Sequence, residues 1–337
     1  MAKRSTTDLS LIVGIDKPAG MSSHDVVNRV RRIFGERRCG HMGTLDPDAT
    51  GALAVCVGPA TRLNALLTSH DKVYEFTIAF GSATDTDDAQ GAVIEQAPVP
   101  ERLSDEGFAR EYLAGLVGPC KQMPPAYSAI KVNGKKSYEA ARKGDSVELT
   151  PRDIEIYSTR LLGIETQDDV LSWRVEAHVS AGTYVRSIAR DTGRDLGTCA
   201  HVGELRRIQA GHLMVQNCVS LEQLEADPFG SLIDPVKLLG LRFVFLNEKQ
   251  SADVGVGRFL PVKGLRLFCY ELSAARGLDY DSCTSGVIES FEPLGDRESV
   301  CLIADNKVAA IYQFDQKRRV LKSRCGFANG VARVGRI

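Results

Sequence analysis

The chain has 337 residues, of which 43% are hydrophobic and 25% are charged, and its net charge is −1 at pH 7. This length exceeds that of one average domain and predicts two, and the composition is that of an ordinary soluble globular protein. No run approaches the ~18 consecutive apolar residues of a membrane-spanning helix, and the first residues lack the features of a signal peptide. No membrane attachment is therefore expected.

The first predicted elements are a strand and a helix. The apolar run at residues 9–15 is typical of a strand, and it ends at an Asp-Lys-Pro-Ala-Gly turn. Ser22 and Asp25 have capping-box spacing, and the valines that follow recur on one face, which predicts a helix.

Residues 43–51, with the sequence GTLDPDATG, predict a stiff loop that presents one carboxylate. Pro47 biases Asp46 towards an extended backbone, and the glycine at each end lets the chain bend. The apolar run after the loop predicts a strand, so that Asp46 would lie at its mouth. A carboxylate held in this way can act as a nucleophile or a general base, whereas the alternative is an ordinary Asp-Pro turn.

Two further strands and a helix are predicted downstream. Residues 72–81 and 173–180 alternate branched or aromatic residues with polar ones, which is a strand pattern, and a polar loop is expected at 81–88. A helix is expected from Tyr184. Three arginines spaced four residues apart share one face of it: Arg186, Arg190 and Arg194.

Charge is segregated along the chain. Residues 29–38 contain five arginines and one glutamate, and residues 121–143 contain six basic residues and one glutamate. Such segments can build a nucleic-acid-binding face on a neutral protein, although solvated helix surfaces give the same pattern.

The C-terminal part has a different character from about residue 238. Its strand-like runs are separated by turns and predict a small β-rich domain. The runs are 241–246, 265–270, 300–304 and 308–314.

The nine cysteines are scattered and contain no Cys-x-x-Cys pair. This pattern predicts reduced thiols in the cytoplasm and neither a disulfide framework nor a zinc site.

Several of these segments resemble, in the same order, the sequence blocks of the tRNA pseudouridine-55 synthase family. The resemblance covers roughly residues 10–210, and four ordered blocks are hard to explain by chance. It begins with the opening segment 16–27, and its four blocks are the loop 43–51 and the segments 123–142, 181–191 and 201–207.

The resemblance implies a fold and a domain organisation. The expected fold is α+β: a pseudouridine-synthase catalytic domain at residues 9–237, with a mixed, largely antiparallel sheet. An RNA-gripping thumb would be inserted at about 121–150, with a short basic helix at 138–143. A β-rich, PUA-like RNA-binding domain would occupy residues 238–337. The protein is expected to work as a monomer with no obligate protein partner.

The resemblance also assigns site residues. Asp46 matches the single catalytic aspartate of the family, and Arg186 matches the arginine that pairs with it and keeps it ionised. Residues that match the active-site pocket are Tyr74, Tyr184 and Leu205. Residues that match RNA-binding positions are His41, Arg62, Tyr127 and Lys131.

The implied reaction isomerises uridine 55 in the T-loop of tRNA to pseudouridine after the base has been flipped out of its stack. Because the glycosidic bond is only cleaved and rejoined, no metal and no nucleotide or redox cofactor is expected. Attack of the carboxylate on the sugar, attack on the base, and deprotonation are all compatible with the sequence.

Two other functions fit many of the same residues. One is an RNA-binding factor that assists tRNA folding, which could also coexist with catalysis. The other is the catalytic subunit of an RNA-guided pseudouridylation particle, against which the thumb-like segment 127–142 and the absence of Lys-rich tails argue. A purely structural β protein would require all four blocks to be coincidental.

Overall fold

The structure is a computed structural model that describes residues 7–127, 131–132, 135–136, 149–270 and 286–333, with 131–132 and 135–136 described as backbone only. The chain forms two compact units. The first unit comprises the described residues within 1–47, 52–68 and 211–337, and the second comprises the described residues within 48–51 and 69–210. The domain boundaries expected from the sequence, 9–237 and 238–337, stay a prediction.

Seven helices lie in the described part of the chain. They are α1 (Ser23–Phe34), α2 (Asn64–Leu67), α3 (Glu106–Gly115), α4 (Val185–Asp195), α5 (Leu221–Ala226), α6 (Pro235–Leu239) and α7 (Glu248–Gly255), with short 3₁₀ turns at Gly58–Leu63, Glu101–Ser104 and Val215–Asn217. None of these helices is long and apolar enough to cross a membrane.

The described strands are numbered in chain order. They are β1 (Leu11–Lys17), β2 (Cys39–Met42), β3 (Thr50–Val57), β4 (Lys72–Phe80), β5 (Ser82–Thr84), β6 (Val93–Gln96), β7 (Gly118–Gln122), β8 (Lys131–Val132), β9 (Lys135–Lys136), β10 (Arg152–Gln167), β11 (Val170–Val179), β12 (Ala200–Ala210), β13 (Leu213–Met214), β14 (Arg242–Phe245), β15 (Leu260–Pro261), β16 (Leu267–Tyr270), β17 (Val287–Ser290), β18 (Ser299–Ala304), β19 (Lys307–Asp315) and β20 (Val320–Ala332).

The second unit is built on a sheet with the strand order β12-β4-β11-β10-β7, in which all neighbours are antiparallel. The first two residues of β3 add a short parallel pairing to β12. Trp173 is fully buried in this unit; its ring packs edge-on against Phe80, and its indole N–H donates to the carbonyl of Leu103 at 2.7 Å. The sheet is therefore mixed and largely antiparallel, which confirms the predicted fold class.

In the first unit, α1 begins as the sequence predicts. The Ser22 hydroxyl accepts a hydrogen bond from the Asp25 amide, and the Asp25 carboxylate accepts one from the Ser22 amide, which completes a capping box. Gly35 ends the helix in the left-handed conformation, with φ = 62°. Strand β1 precedes this helix and lies beside β3, which also pairs antiparallel with β2.

The C-terminal part of the first unit is a seven-stranded sheet with the order β15-β20-β19-β18-β14-β16-β17, in which only β14 and β18 run parallel among the described pairs. Buried residues of this sheet, such as Phe243 and Ile311, belong to one hydrophobic cluster with Ile12 and Cys56 from β1 and β3. The predicted β-rich C-terminal region and its four strand-like runs are confirmed.

The remaining predictions of strands, helices and loops are confirmed in part. The strands predicted at 9–15, 72–81 and 173–180 are present as β1, β4 and β11, and the helix after Tyr184 is α4. The polar loop predicted from residue 81 is partly wrong, because Ser82–Thr84 pair with β6 as a short strand. The short basic helix predicted at 138–143 lies outside the described residues.

Candidate active site

The predicted carboxylate, Asp46, lies in the loop between β2 and β3, four residues before β3 begins, and its side chain is half-buried. Gly43 starts the loop with φ = 76°, a left-handed conformation that glycine adopts without steric cost. The structure thus places Asp46 just before a strand, as the sequence predicts.

The backbone around Asp46 is held from both sides by buried side chains of the first unit. The Ser23 hydroxyl accepts from the amide of Leu45 at 2.9 Å and donates to the carbonyl of the same residue at 3.0 Å. The Lys17 ammonium, whose residue is fully buried, donates to the Pro47 carbonyl at 2.6 Å. The residues immediately before and after the carboxylate are therefore both anchored.

Directly after the loop, Thr50 and Gly51 pair with Arg206 and Arg207 of β12. Gly51 has φ = 105°, and a Cβ placed there would lie 2.2 Å from the Arg207 carbonyl oxygen. This position of the GTLDPDATG segment accordingly requires glycine both for its dihedral angle and for the close approach of the two strands.

Arg186, in the first turn of α4, is 6% exposed and is held by main-chain acceptors of the second unit. Its Nη1 donates to the Thr86 carbonyl at 2.9 Å and lies 3.6 Å from the Asp88 carboxylate, and its Nη2 donates to the Tyr127 carbonyl at 2.9 Å. The structure therefore brings two predicted site residues, Arg186 and Tyr127, into contact.

Tyr184 is the N-cap residue of the same helix, and Gln122 of β7 fixes its backbone. The Gln122 side-chain oxygen accepts from the Tyr184 amide at 2.8 Å, and its amide nitrogen donates to the Tyr184 carbonyl at 3.0 Å. The phenol ring of Tyr184 is half-buried. Sequence reasoning missed Gln122, which carries no signal beyond its place at the start of the predicted thumb.

One turn further along α4, Arg190 is also buried. Its Nη1 contacts the Asp87 carboxylate at 3.0 Å, its Nε donates to Asp191 at 2.8 Å, and its Nη2 donates to the Met123 carbonyl at 2.9 Å. The Ser187 hydroxyl donates to this carbonyl as well, at 2.8 Å. Burial raises the pKa of Asp87 and outweighs the opposing attraction of the Arg190 guanidinium. The four-residue spacing of the arginines in the sequence predicted this helix face, but it did not predict which groups the arginines contact.

Tyr74 and Leu205 lie on neighbouring strands, β4 and β12. Leu205 is opposite Phe76, and Arg207 is opposite Tyr74, so these four side chains share one face of the sheet. Tyr74 is 8% exposed, and Leu205 is half-buried.

The predicted RNA-binding residues are distributed over the molecule. His41 lies in β2 opposite Val55 and is half-buried. Arg62 is exposed on the 3₁₀ turn after β3, where its Nη1 donates to the Gly326 carbonyl at 2.7 Å. Lys131 belongs to the two-residue strand β8, and its side chain lies outside the described residues.

In the basic segment 29–38, three arginines are exposed: Arg32, Arg37 and Arg38. Arg29 instead pairs with Glu225 at 2.5 Å. Within the part of the chain that the structure describes, no group of three or more His, Cys, Asp or Glu side chains could hold a metal ion.

Two domains of known protein families match most of the chain. The N-terminal domain of the TruB family pseudouridylate synthases matches residues 31–185, and the C-terminal domain of tRNA pseudouridylate synthase B matches residues 186–229. Both predicted blocks that contain Asp46 and Arg186 lie within these matches.

Individual proteins give the same result. The chain is 41% identical to tRNA pseudouridine synthase B of Corynebacterium jeikeium (strain K411), over 78% of this chain and 88% of that protein. It is 43% identical to the protein of the same name from Mycobacterium tuberculosis (strain H37Rv), over 75% and 85%. Among solved structures, a Cbf5-Nop10-Gar1 complex matches with a TM-score of 0.66 at 19% identity, over 99% of this chain and 93% of that chain, which shows a shared fold. The chain belongs to the TruB family of pseudouridylate synthases.

Proposed function

We propose that this protein isomerises uridine 55 in the T-loop of tRNA to pseudouridine, with Asp46 as the catalytic carboxylate. The observation that carries the proposal is the geometry of the Asp46 loop. The Asp46 side chain is half-buried, and the main chain is held by hydrogen bonds at the residue before it and at the residue after it. The family membership and the names of the 41–43% identical relatives support the reaction and its tRNA substrate.

The chemistry agrees with a single carboxylate as its centre. The bond between uracil N1 and ribose C1′ breaks, a bond between C5 and C1′ forms, and the C5 proton is replaced by one on N1. The reaction is an isomerisation with no net oxidation, and it needs a group that can attack or accept a proton and then leave. We therefore propose that Asp46 acts without a metal or organic cofactor.

The supporting roles follow the sequence-based assignments. Arg186 would orient and charge-stabilise the carboxylate through its guanidinium, for which its burial and its fixed geometry provide a rigid base. Tyr74, Tyr184 and Leu205 would form the wall against which the flipped uracil stacks.

Contacts to the tRNA backbone would come from exposed basic side chains. Arg62 and the exposed arginines of segment 29–38 can pair with phosphates, and His41, Tyr127 and Lys131 would complete the RNA contacts. The T-arm is then the partner, and we propose that the protein acts on it as a monomer in the cytoplasm.

Two rival functions have less support. The relatives that are 41–43% identical are named as tRNA pseudouridine synthases, whereas the protein in the Cbf5-Nop10-Gar1 complex is 19% identical. This difference favours a stand-alone tRNA enzyme over the catalytic subunit of a multi-protein particle. A tRNA folding activity would be an addition to catalysis, and it can be separated from catalysis by experiment.

The test uses unmodified tRNA transcript and purified protein without added metal or cofactor. Pseudouridine is mapped by carbodiimide-dependent stops in primer extension. The wild-type protein is expected to give one strong stop in the T-loop, and Asp46→Asn is expected to give none, because the amide cannot supply the negative charge.

Asp48→Asn is the matched control, since it makes the same chemical change two residues along the loop at an exposed position. It should retain activity. Absence of a wild-type stop despite tRNA binding would overturn the enzyme assignment and favour the folding factor. Equal loss in both variants would show that the loop, and not the Asp46 carboxylate, is what matters.

A further inference from the structure

Ser23 is the first residue of α1, and its side chain is 2% exposed. A helix needs no hydroxyl at this position, because Ser22 already provides the N-cap. The Ser23 hydroxyl instead forms two hydrogen bonds with one residue of a different segment, the amide and the carbonyl of Leu45.

These two hydrogen bonds saturate the backbone of the residue that precedes Asp46. Leu45 itself is buried, with 3% exposure, so water cannot readily replace the hydroxyl. Fixing both the N–H and the C=O of one residue restricts the orientation of its two peptide planes, and the second of these planes leads directly into Asp46.

We propose that Ser23 is a positioning residue for the pseudouridine-forming reaction: its hydroxyl sets the direction in which the Asp46 carboxylate points. The inference rests on the proposed function of Asp46. Lys17 holds the Pro47 carbonyl on the other side of the carboxylate. Removing the Ser23 anchor allows the backbone before Asp46 to shift, and displacement of a reacting group by about 1 Å can cost 10²-fold in rate.

A purely structural role would have a different signature. Removal of the Ser23 hydroxyl leaves two buried main-chain groups without this partner, which lowers the stability of the fold. If that were all, the folded fraction would react at the wild-type rate. The positioning role predicts instead a slow chemical step in fully folded protein, with tRNA affinity preserved.

The experiment compares Ser23→Ala with Ser220→Ala under single-turnover conditions at a temperature at which both are folded. Ser220 is the N-cap of α5 and forms a capping box with Gln223, so its loss also removes a serine hydroxyl from a helix start. The dependence of the rate on protein concentration separates the maximal rate from the affinity for tRNA. Hydrogen exchange of a peptide that covers residues 43–50 reports the loop directly.

We expect Ser23→Ala to lower the maximal rate by about 10- to 100-fold, with the dissociation constant for tRNA changed by less than about threefold. Exchange of the 43–50 peptide should be faster in this variant only. Should Ser23→Ala not fold, Ser23→Thr and Ser23→Cys replace it: the threonine variant keeps the hydroxyl and should react faster than the cysteine variant, whose thiol is a weak donor.

A maximal rate within twofold of wild type for Ser23→Ala, or the same loss for Ser220→Ala, would overturn the inference. So would a cysteine variant as fast as the threonine variant. If wild-type protein forms no product, the proposed function fails first; if wild-type protein is active and only the Ser23 comparison is flat, the positioning role alone is wrong.

Discussion

The Arg186 guanidinium donates a hydrogen bond to the main-chain carbonyl of Tyr127 at 2.9 Å. Arg186 is the predicted partner of Asp46, the proposed catalytic carboxylate, and Tyr127 lies within the predicted RNA-gripping segment. The same guanidinium also holds the Thr86 carbonyl, so one buried side chain fixes two loops of the second unit. A planar fork with several donors suits this task, whereas a point charge does not.

Replacing Arg186 by lysine should therefore abolish most of the activity, although the charge is kept. The ammonium cannot reach both carbonyls in the geometry of the fork, so at least one half-buried acceptor loses its arginine donor. We expect kcat/KM for tRNA to fall by at least about 100-fold, in line with misplacement of reacting groups. Single-turnover kinetics on tRNA transcript measure this value.

The matched control is Arg194→Lys, because Arg194 is an exposed arginine of the same helix, α4. Its kcat/KM should stay within about twofold of wild type, as is usual for surface substitutions. If Arg186→Lys retains a comparable value, the fork geometry has no role in the reaction.

Arg190 is expected to contribute mainly to the stability of the second unit. Arg190→Met leaves the Asp87 carboxylate, whose side chain is 15% exposed, without its ion pair, and we expect a loss of about 3 kcal/mol in the free energy of unfolding. Trp173 is the only tryptophan of the chain and lies in this unit, so its fluorescence reports the transition in urea.

A double-mutant cycle with Asp87→Asn isolates the ion pair. Asp87 has φ = 60°, and asparagine tolerates this conformation. The double variant should be more stable than the sum of the single losses predicts, by about 1–3 kcal/mol. Strict additivity would mean that the two side chains do not stabilise each other.

Gly51 should tolerate no side chain. Gly51→Ala places a Cβ 2.2 Å from the Arg207 carbonyl oxygen and imposes φ = 105° on alanine, so the pairing of β3 with β12 must shift. We expect the free energy of unfolding, followed by Trp173 fluorescence in urea, to fall by about 3 kcal/mol, with pseudouridine formation reduced in the folded protein.

Gly163→Ala is the control for this change. Gly163 lies at an irregularity of β10, and a Cβ there would meet no atom within 4 Å. Its stability should stay within about 1 kcal/mol of wild type. A similar loss at both positions would show that crowding at Gly51 is not the cause.

The parts of the fold that could be predicted from the sequence are those with local signals. The Ser22–Asp25 capping box marked the start of α1, and simple alternation marked β4 and β11. Strand β10 was missed because an irregularity between Leu161 and Gly163 breaks its period of two, and because its pairing with β7 is not local.

The residues of the candidate site also differ in whether a local sequence signal predicts them. Asp46 and Arg186 could be proposed as site residues from the sequence because each lies in a contiguous motif. Their supports act across the chain: Ser23 reaches Leu45 over 22 residues, and Lys17 reaches Pro47 over 30. The sequence contains these residues in a recognisable opening segment, but which main-chain groups they hold depends on how the strands and the helix pack.

Lys72, at the start of β4, should make stability depend on pH. Its residue is 9% exposed, and burial together with repulsion from Arg207 lowers the pKa of its ammonium to about 8, although Asp71 opposes the shift. Since the unfolded chain holds this proton up to its ordinary pKa of 10.5, the unfolded state binds more protons between these two values. The penalty of burying a charged Lys72 is complete below pH 8 and disappears as the pH rises towards 10.5.

Lys72→Met removes this titration. Its stability relative to wild type should fall by about 3 kcal/mol between pH 8 and 10.5, because wild type gains stability over this interval and the variant does not. The measurement is urea unfolding followed by Trp173 fluorescence at pH 7, 8, 9, 10 and 10.5. Lys121→Met, at an exposed position of the same unit, should show a constant difference from wild type. A constant difference for Lys72→Met as well would mean that the ammonium is solvated in the folded protein and that its pKa is ordinary.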